Sequence, residues 1–132
     1  MRSALVCLLF AATPVLSHDN HAPFDAPGHV WQLIELQGAR FAAKATLHFP
    51  EPGKLAGDAP CNRYFGAMWG DYPWFKAGRI AATRRACPDL AEESRFLQAL
   101  ETMSQAEATQ THLILTGDDG QSMVFRLIQS PE

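Results

Sequence analysis

Cations, long apolar runs and cysteines are all scarce in this 132-residue chain, and each scarcity removes a class of function. Lys and Arg total 11 against 14 Asp and Glu, a formal net charge of −3. Nucleic-acid binders neutralise phosphates with a basic face, so no nucleic-acid partner is expected. The one sustained apolar run, Ala4 to Ala12, is about half of the roughly 20 residues that span a bilayer, which excludes stable membrane insertion. Cysteine occurs only at Cys7, Cys61 and Cys87. There is no Cys-x-x-Cys spacing to tune a thiolate, and no second pair to complete a zinc site. Gly-rich phosphate loops are missing, and Ser94, Ser104 and Ser122 lack the setting of an activated nucleophile. His29, His48 and His112 fall in separate strand patterns without ligand spacing, and Asp118 and Asp119 belong to a tight turn that favours Asp for backbone reasons. No catalytic residue, metal or cofactor is therefore expected, and the chain does not read as an enzyme.

What is present describes a small exported globule. Hydrophobic residues make up 47% and charged residues 19%, a composition that packs a core, and the length suits one domain. Arg2, the apolar run and the following Pro14–Ser17 form a secretory signal peptide, residues 1–17, with cleavage expected after Ser17. Cys7 lies in the middle of the run behind Val6, so lipid anchoring there is not expected. Cleavage removes Arg2 and no acid, taking the charge from −3 to −4. Two cysteines then remain in an exported chain, which predicts one structural disulfide between Cys61 and Cys87 and a periplasmic or secreted location. Residues 18–28, HDNHAPFDAPG, are polar and Pro-rich and read as a flexible leader. His18 and His21 near a new amino terminus have the donors to chelate Cu(II) or Zn(II), but the leader reading is preferred. The folded domain is expected over 29–130.

From His29 onward, Val30, Gln32, Ile34 and Leu36 alternate with Trp31, Leu33 and Glu35, a strand pattern. Ala45, Leu47 and Phe49 alternate with Thr46 and His48, and Pro50 and Pro52 close that strand. Lys54–Gly57 reads as a short strand. Residues 63–75 are aromatic and Gly-punctuated, predicting a hairpin that turns near Gly70 and Asp71, and 76–84 continue as an extended segment. One helix is predicted from about Asp89 to Met103, with Asp89 as cap, Glu92 completing a capping box, and an apolar stripe of Phe96, Leu97, Leu100 and Met103. Leu113 and Leu115, a GDDG turn at 117–120, then Met123, Phe125 and Leu127 form a final hairpin. A single amphipathic helix buries its stripe in the concave side of a curved sheet. The fold class is mainly β (α+β), a curved antiparallel sheet or half-open barrel packed on one helix.

The organising stretch is Leu55–Cys87, which carries all but one of the Trp and Tyr residues. Its pattern resembles the META domain, the HslJ-like heat-shock protein family. The resemblance rests on Trp31 and Leu33, then Gly57, Cys61, Asn62 and Gly66, then Gly78, Ile80, Ala81, Thr83 and Cys87, followed by an acidic helix. It implies a small exported bacterial domain, often lipid-anchored, associated with envelope stress and antibiotic tolerance and carrying no general catalytic activity. The chain departs from the family at Pro60, where many members have Gly, and at Arg85, where Met is common.

Several residues then stand as binding candidates beside plainer readings. Asn62 next to a bridged cysteine is read as satisfying local backbone groups. The disulfide gathers Arg63, Arg84 and Arg85 into a cationic cluster suited to an anion, set against ordinary solvated arginines. Tyr64, Phe65, Trp69, Tyr72, Trp74 and Phe75 cannot all face one side of alternating strands, so part of the set forms a contact patch. The binding patch is accordingly placed at Arg63, Tyr64, Trp69, Trp74, Arg84 and Arg85. The function expected is a monomeric, non-enzymatic interaction module in envelope stress or maintenance, with an envelope protein or small ligand as partner. The alternatives are a lipocalin-like carrier of a small apolar ligand, which needs a cavity beside the helix, and an inhibitor of a secreted enzyme.

Overall fold

The computed structural model describes residues 9, 11, 12 and 23–130; the cleavage point after Ser17, Cys7, His18 and His21 lie outside them. A 3-10 turn at Pro23–Asp25 precedes β1 (Val30–Leu36), β2 (Ala39–Arg40), β3 (Thr46–Leu47), β4 (Lys54–Asp58), β5 (Arg63–Trp69), β6 (Lys76–Ala77) and β7 (Ala81–Ala82). The helix α1 (Leu90–Thr102) follows, then β8 (Met103–Ala108), β9 (His112–Gly117) and β10 (Ser122–Gln129). One antiparallel sheet runs β2-β1-β10-β9-β8 with β3 beside β1. The other runs β4-β5-β6 with β7 beside β5. Single bridges, His48 to Ala56 and Trp74 to Gln105, join the sheets at their corners. The sheets curve around the helix without closing into a barrel.

The core lies between the helix and both sheets. Phe96 and Leu100 of the helix and Met103, the first residue of β8, are buried together with Leu33, Leu47, Leu113, Leu115, Met123 and Phe125. Each large apolar side chain so buried contributes about 1.5–3 kcal/mol. The helix fills the concave side, which removes the carrier reading that required a cavity there.

Four local expectations are corrected. The 18–28 leader is not wholly outside the fold: Phe24 is buried, with its ring 5.1 Å from that of Phe49 and 5.8 Å from that of Phe75. Packing thus includes Phe24, upstream of His29, because one aromatic among polar and Pro residues finds a pocket that average composition conceals. In β1 the pairing register slips between Leu33 and Glu35. This bulge turns Leu36 inward on the same side as Trp31 and Leu33, where strict alternation would separate them. Thr46, expected on a polar face, is buried, and its hydroxyl accepts the Asp58 N–H at 2.9 Å. The capping box does not form. Asp89 has φ −93° and ψ 18° and makes no side-chain cap. Glu92 turns instead to Arg95 one turn on, at 3.0 Å.

Candidate functional site

The Cys61–Cys87 bridge closes the central stretch, with Cα atoms 5.7 Å apart. In the chain-entropy model a loop of this size confers about 3.5 kcal/mol. Beside the bridge, the Asn62 side chain uses every hydrogen-bonding position it has. Its amide nitrogen donates to Glu93 Oε2 at 2.7 Å and to the Arg85 carbonyl at 2.9 Å. Its oxygen accepts the Thr83 hydroxyl at 2.9 Å and the Arg85 N–H at 2.6 Å. The other carboxylate oxygen of Glu93 accepts the N–H groups of Cys61 at 3.0 Å and Asn62 at 2.8 Å. Glu93 lies on the inward face of α1 and is only 4% exposed. The carboxylate thereby ties the helix to the Cys61 end of the disulfide loop, the Asn62 side chain carries the connection on to Thr83 and Arg85 near the other end, and no side-chain polar atom of Asn62 remains for a ligand.

The remaining motif positions are explained by close approach. A Cβ on Gly57 would stand 2.7 Å from the Tyr64 hydroxyl oxygen and would overlap the Thr46 carbonyl oxygen. The Tyr64 hydroxyl donates to that same carbonyl. Gly66 lets the Arg79 carbonyl pass within 3.3 Å of where its Cβ would be. Gly78 lies under the indole of Trp69, 2.7 Å from the added carbon. The Thr83 N–H donates to the Arg63 carbonyl at 3.0 Å and the Thr83 hydroxyl accepts the Arg63 N–H at 3.2 Å, which holds the end of β7 against β5.

Alternation along β5 sorts the aromatics. Tyr64 and Met68 point into the core, and Tyr64 is 1% exposed, so it leaves the contact patch. Burial, and then the nearby Asp58 carboxylate, push its phenol well above the ordinary tyrosine range. Phe65 and Trp69 point outward and are 61% and 58% exposed; Trp74, in the turn before β6, is 58% exposed. Strand register surrounds Phe65 with Ala56 and Ala81, and places Lys54 beside Ala67 and Lys76 beside Trp69. The outer face of β5 is therefore an aromatic strip with basic edges. Arg63, at the end of this strip, lies 3.8 Å from Asp58. Arg84 and Arg85 are exposed, and Arg85 serves the site through its backbone.

Among the described residues no group of three or more His, Cys, Asp or Glu side chains is placed to hold a metal. No helix among them is long and apolar enough to cross a membrane. The META domain profile matches residues 24–130. The chain belongs to the META domain family. Its match includes the buried Phe24. Solved structures similar to this META domain include an NMR structure of a protein from Burkholderia xenovorans, with TM-score 0.63 and 20% identity, covering 96% of this chain and 98% of that one. A second NMR structure aligns with TM-score 0.61 and 22% identity over 80% of this chain and 93% of the other. A DUF4847 family protein from Bacteroides vulgatus aligns with TM-score 0.54 and 12% identity over 67% and 61%. At these identities the likeness is one of fold. No curated protein matches the chain.

Glu93 is the residue that sequence reasoning missed. On a helical wheel it precedes Phe96 and Leu100 on the inward face, at spacings of three and seven, and that position was the available signal. A charge there implies burial with partners, and the nearby Cys-Asn dipeptide supplies them.

Proposed function

We propose that this META domain is an exported, non-enzymatic interaction module of the bacterial envelope, active in envelope maintenance, and that the outer face of β5 contacts its partner protein. The observation that carries this reading is the exposure of Phe65 and Trp69 on a strand held rigid by the disulfide and the Asn62–Glu93 bonds. Exposed aromatics on a fixed strand lose little conformational entropy on binding, which is why such residues anchor interfaces. The filled core and the full engagement of Asn62 support a surface role over a cavity. The disulfide is compatible with an oxidising, extracytoplasmic location.

The test is affinity capture from periplasm with the wild type and a Trp69→Ala, Trp74→Ala double variant. Loss of specific partners in the variant supports the proposal, and an unchanged profile refutes it. Mass spectrometry of the exported protein should show removal of residues 1–17 and a mass two hydrogens below that of the dithiol. Retention of residues 1–17 or free thiols would overturn the export reading.

A further inference from the structure

A different part of the surface gathers cations that have no acidic partner. The ion pairs among the described residues are Lys54–Glu51, Arg63–Asp58 and Arg95–Glu92. Arg40, Lys44 and Arg126 belong to none of them, yet all three line one cleft of about 330 Å³, together with Gln32, Phe41 and Ala43. They arrive from distant points of the chain: Arg40 from β2, Lys44 from the loop before β3, and Arg126 from β10, opposite Gln32 in the register with β1. Glu35, the register partner of Arg40, forms no ion pair with it. What sets these three apart from the other unpaired cations is that separate elements bring them to the lining of a single cleft.

The cleft is also preformed. Residues 41–45 are pinned to β1 at both ends, by the Phe41 N–H to the Ile34 carbonyl at 3.0 Å and the Leu33 N–H to the Ala45 carbonyl at 2.9 Å. Phe41 and Ala45 are buried, so the loop between them has little freedom. Within it, the N–H groups of Ala42, Ala43 and Lys44 meet no protein acceptor among the described residues. Guanidinium groups favour oxyanions that accept two bonds at once, and free backbone N–H groups add donors of the same sense.

We propose that this cleft is a binding site for a phosphomonoester dianion. A lone carboxylate carries one charge and two oxygens, which a single arginine already satisfies; two arginines and a lysine match a group with two charges and three terminal oxygens. The apolar flank of Phe41 and Ala43 accommodates a small organic substituent. The group can belong to a soluble phosphate ester or to a lipid head group, and the two sources share this chemistry.

The experiment is a titration of the full mature protein, followed by amide chemical shifts, with inorganic phosphate, sn-glycerol 3-phosphate, and acetate at equal ionic strength. Shifts centred on Ala42–Lys44 with the phosphates but not acetate, weakened about tenfold or more in an Arg40→Gln, Arg126→Gln variant, are expected. The lipid arm is co-sedimentation with phosphatidylcholine vesicles with and without phosphatidic acid. Sedimentation that requires both phosphatidic acid and the two arginines, without response to soluble phosphates, supports the site and assigns the head group as source. The proposal is overturned if neither source binds, if acetate acts like phosphate, or if the variant binds as the wild type does. All three cations are exposed, so the variant should keep its fold, which its dispersed spectrum verifies. A Trp69→Ala variant should bind phosphate unchanged, separating this site from the aromatic face.

Discussion

Replacing Glu93 is expected to be far more damaging than replacing its exposed neighbour Glu92. In Glu93→Ala three buried or part-buried donors lose their acceptor at once: the N–H groups of Cys61 and Asn62, and one N–H of the Asn62 side chain. An orphaned donor costs about 1–3 kcal/mol, and the Cys61 edge is open enough for water to relieve part of that, so a total of about 3–5 kcal/mol is expected. On a domain of this size that lowers Tm by about 15–25 °C. Glu93→Gln keeps the shape but sets an NH2 group either against the Asn62 side-chain amide or against the two backbone N–H groups. About 2 kcal/mol is expected there, from lost charge assistance and one donor facing another. Glu92→Gln removes only an exposed pair with Arg95, worth about 0.5 kcal/mol or less. Urea unfolding of the oxidised protein would give the three values, and amide exchange at Cys61 and Asn62 would localise the effect. A Glu93→Ala protein within about 1 kcal/mol of wild type would refute the claim that this carboxylate ties the helix to the disulfide loop.

Two further outcomes test other parts of the fold. Burial and Asp58 raise the Tyr64 phenol in the folded state, so its neutral form contributes stability that is complete below the unfolded tyrosine pKa of about 10 and is lost as pH rises toward the folded value. In a Tyr72→Phe background, tyrosinate absorbance should therefore grow only as the native circular dichroism disappears; ionisation with the fold intact would contradict the burial. Phe24→Ala should lower stability by about 2–4 kcal/mol, as for other buried aromatics, and make the bond region near Asp25 more protease-sensitive. A truncation that starts at His29 with unchanged urea midpoint would show that the Phe24 contacts contribute nothing.

Much of the architecture was legible because it follows from periodicity. Of the expected stripe, Phe96 and Leu100 are buried on the helix, Leu97 is half-buried and Met103 is buried as the first residue of β8; the final hairpin with its GDDG turn is observed. The failures occur where one residue breaks a pattern that its neighbours suggest. The β1 bulge moves Leu36 by one position, and no local signal announces it. Phe24 hides in a stretch whose composition is that of a linker. Tyr64 was grouped with its exposed neighbours by residue type, whereas alternation along β5 separates it from Phe65. Glu93 is a charge at an inward helical position, and only the folded chain brings the donors of Cys61 and Asn62 opposite it. At the basic cleft the difficulty is different: Arg40, Lys44 and Arg126 are far apart in the chain, and only the pairing of β1 with β10 assembles them.

The junction between α1 and β8 has a consequence for how this domain can change in length. Thr102 ends the helix and Met103 begins the strand, with the Met103 N–H still donating to the Leu100 carbonyl. No connecting loop stands between the two periodicities. One residue inserted at this point would either rotate the helix by about 100° against its pocket or exchange the inner and outer faces of β8. The turn at 118–120 has exposed residues that can absorb an insertion without touching either face. Length variation among relatives should therefore collect in that turn and be absent between positions 102 and 103, so that the helix and β8 are inherited as one indivisible piece.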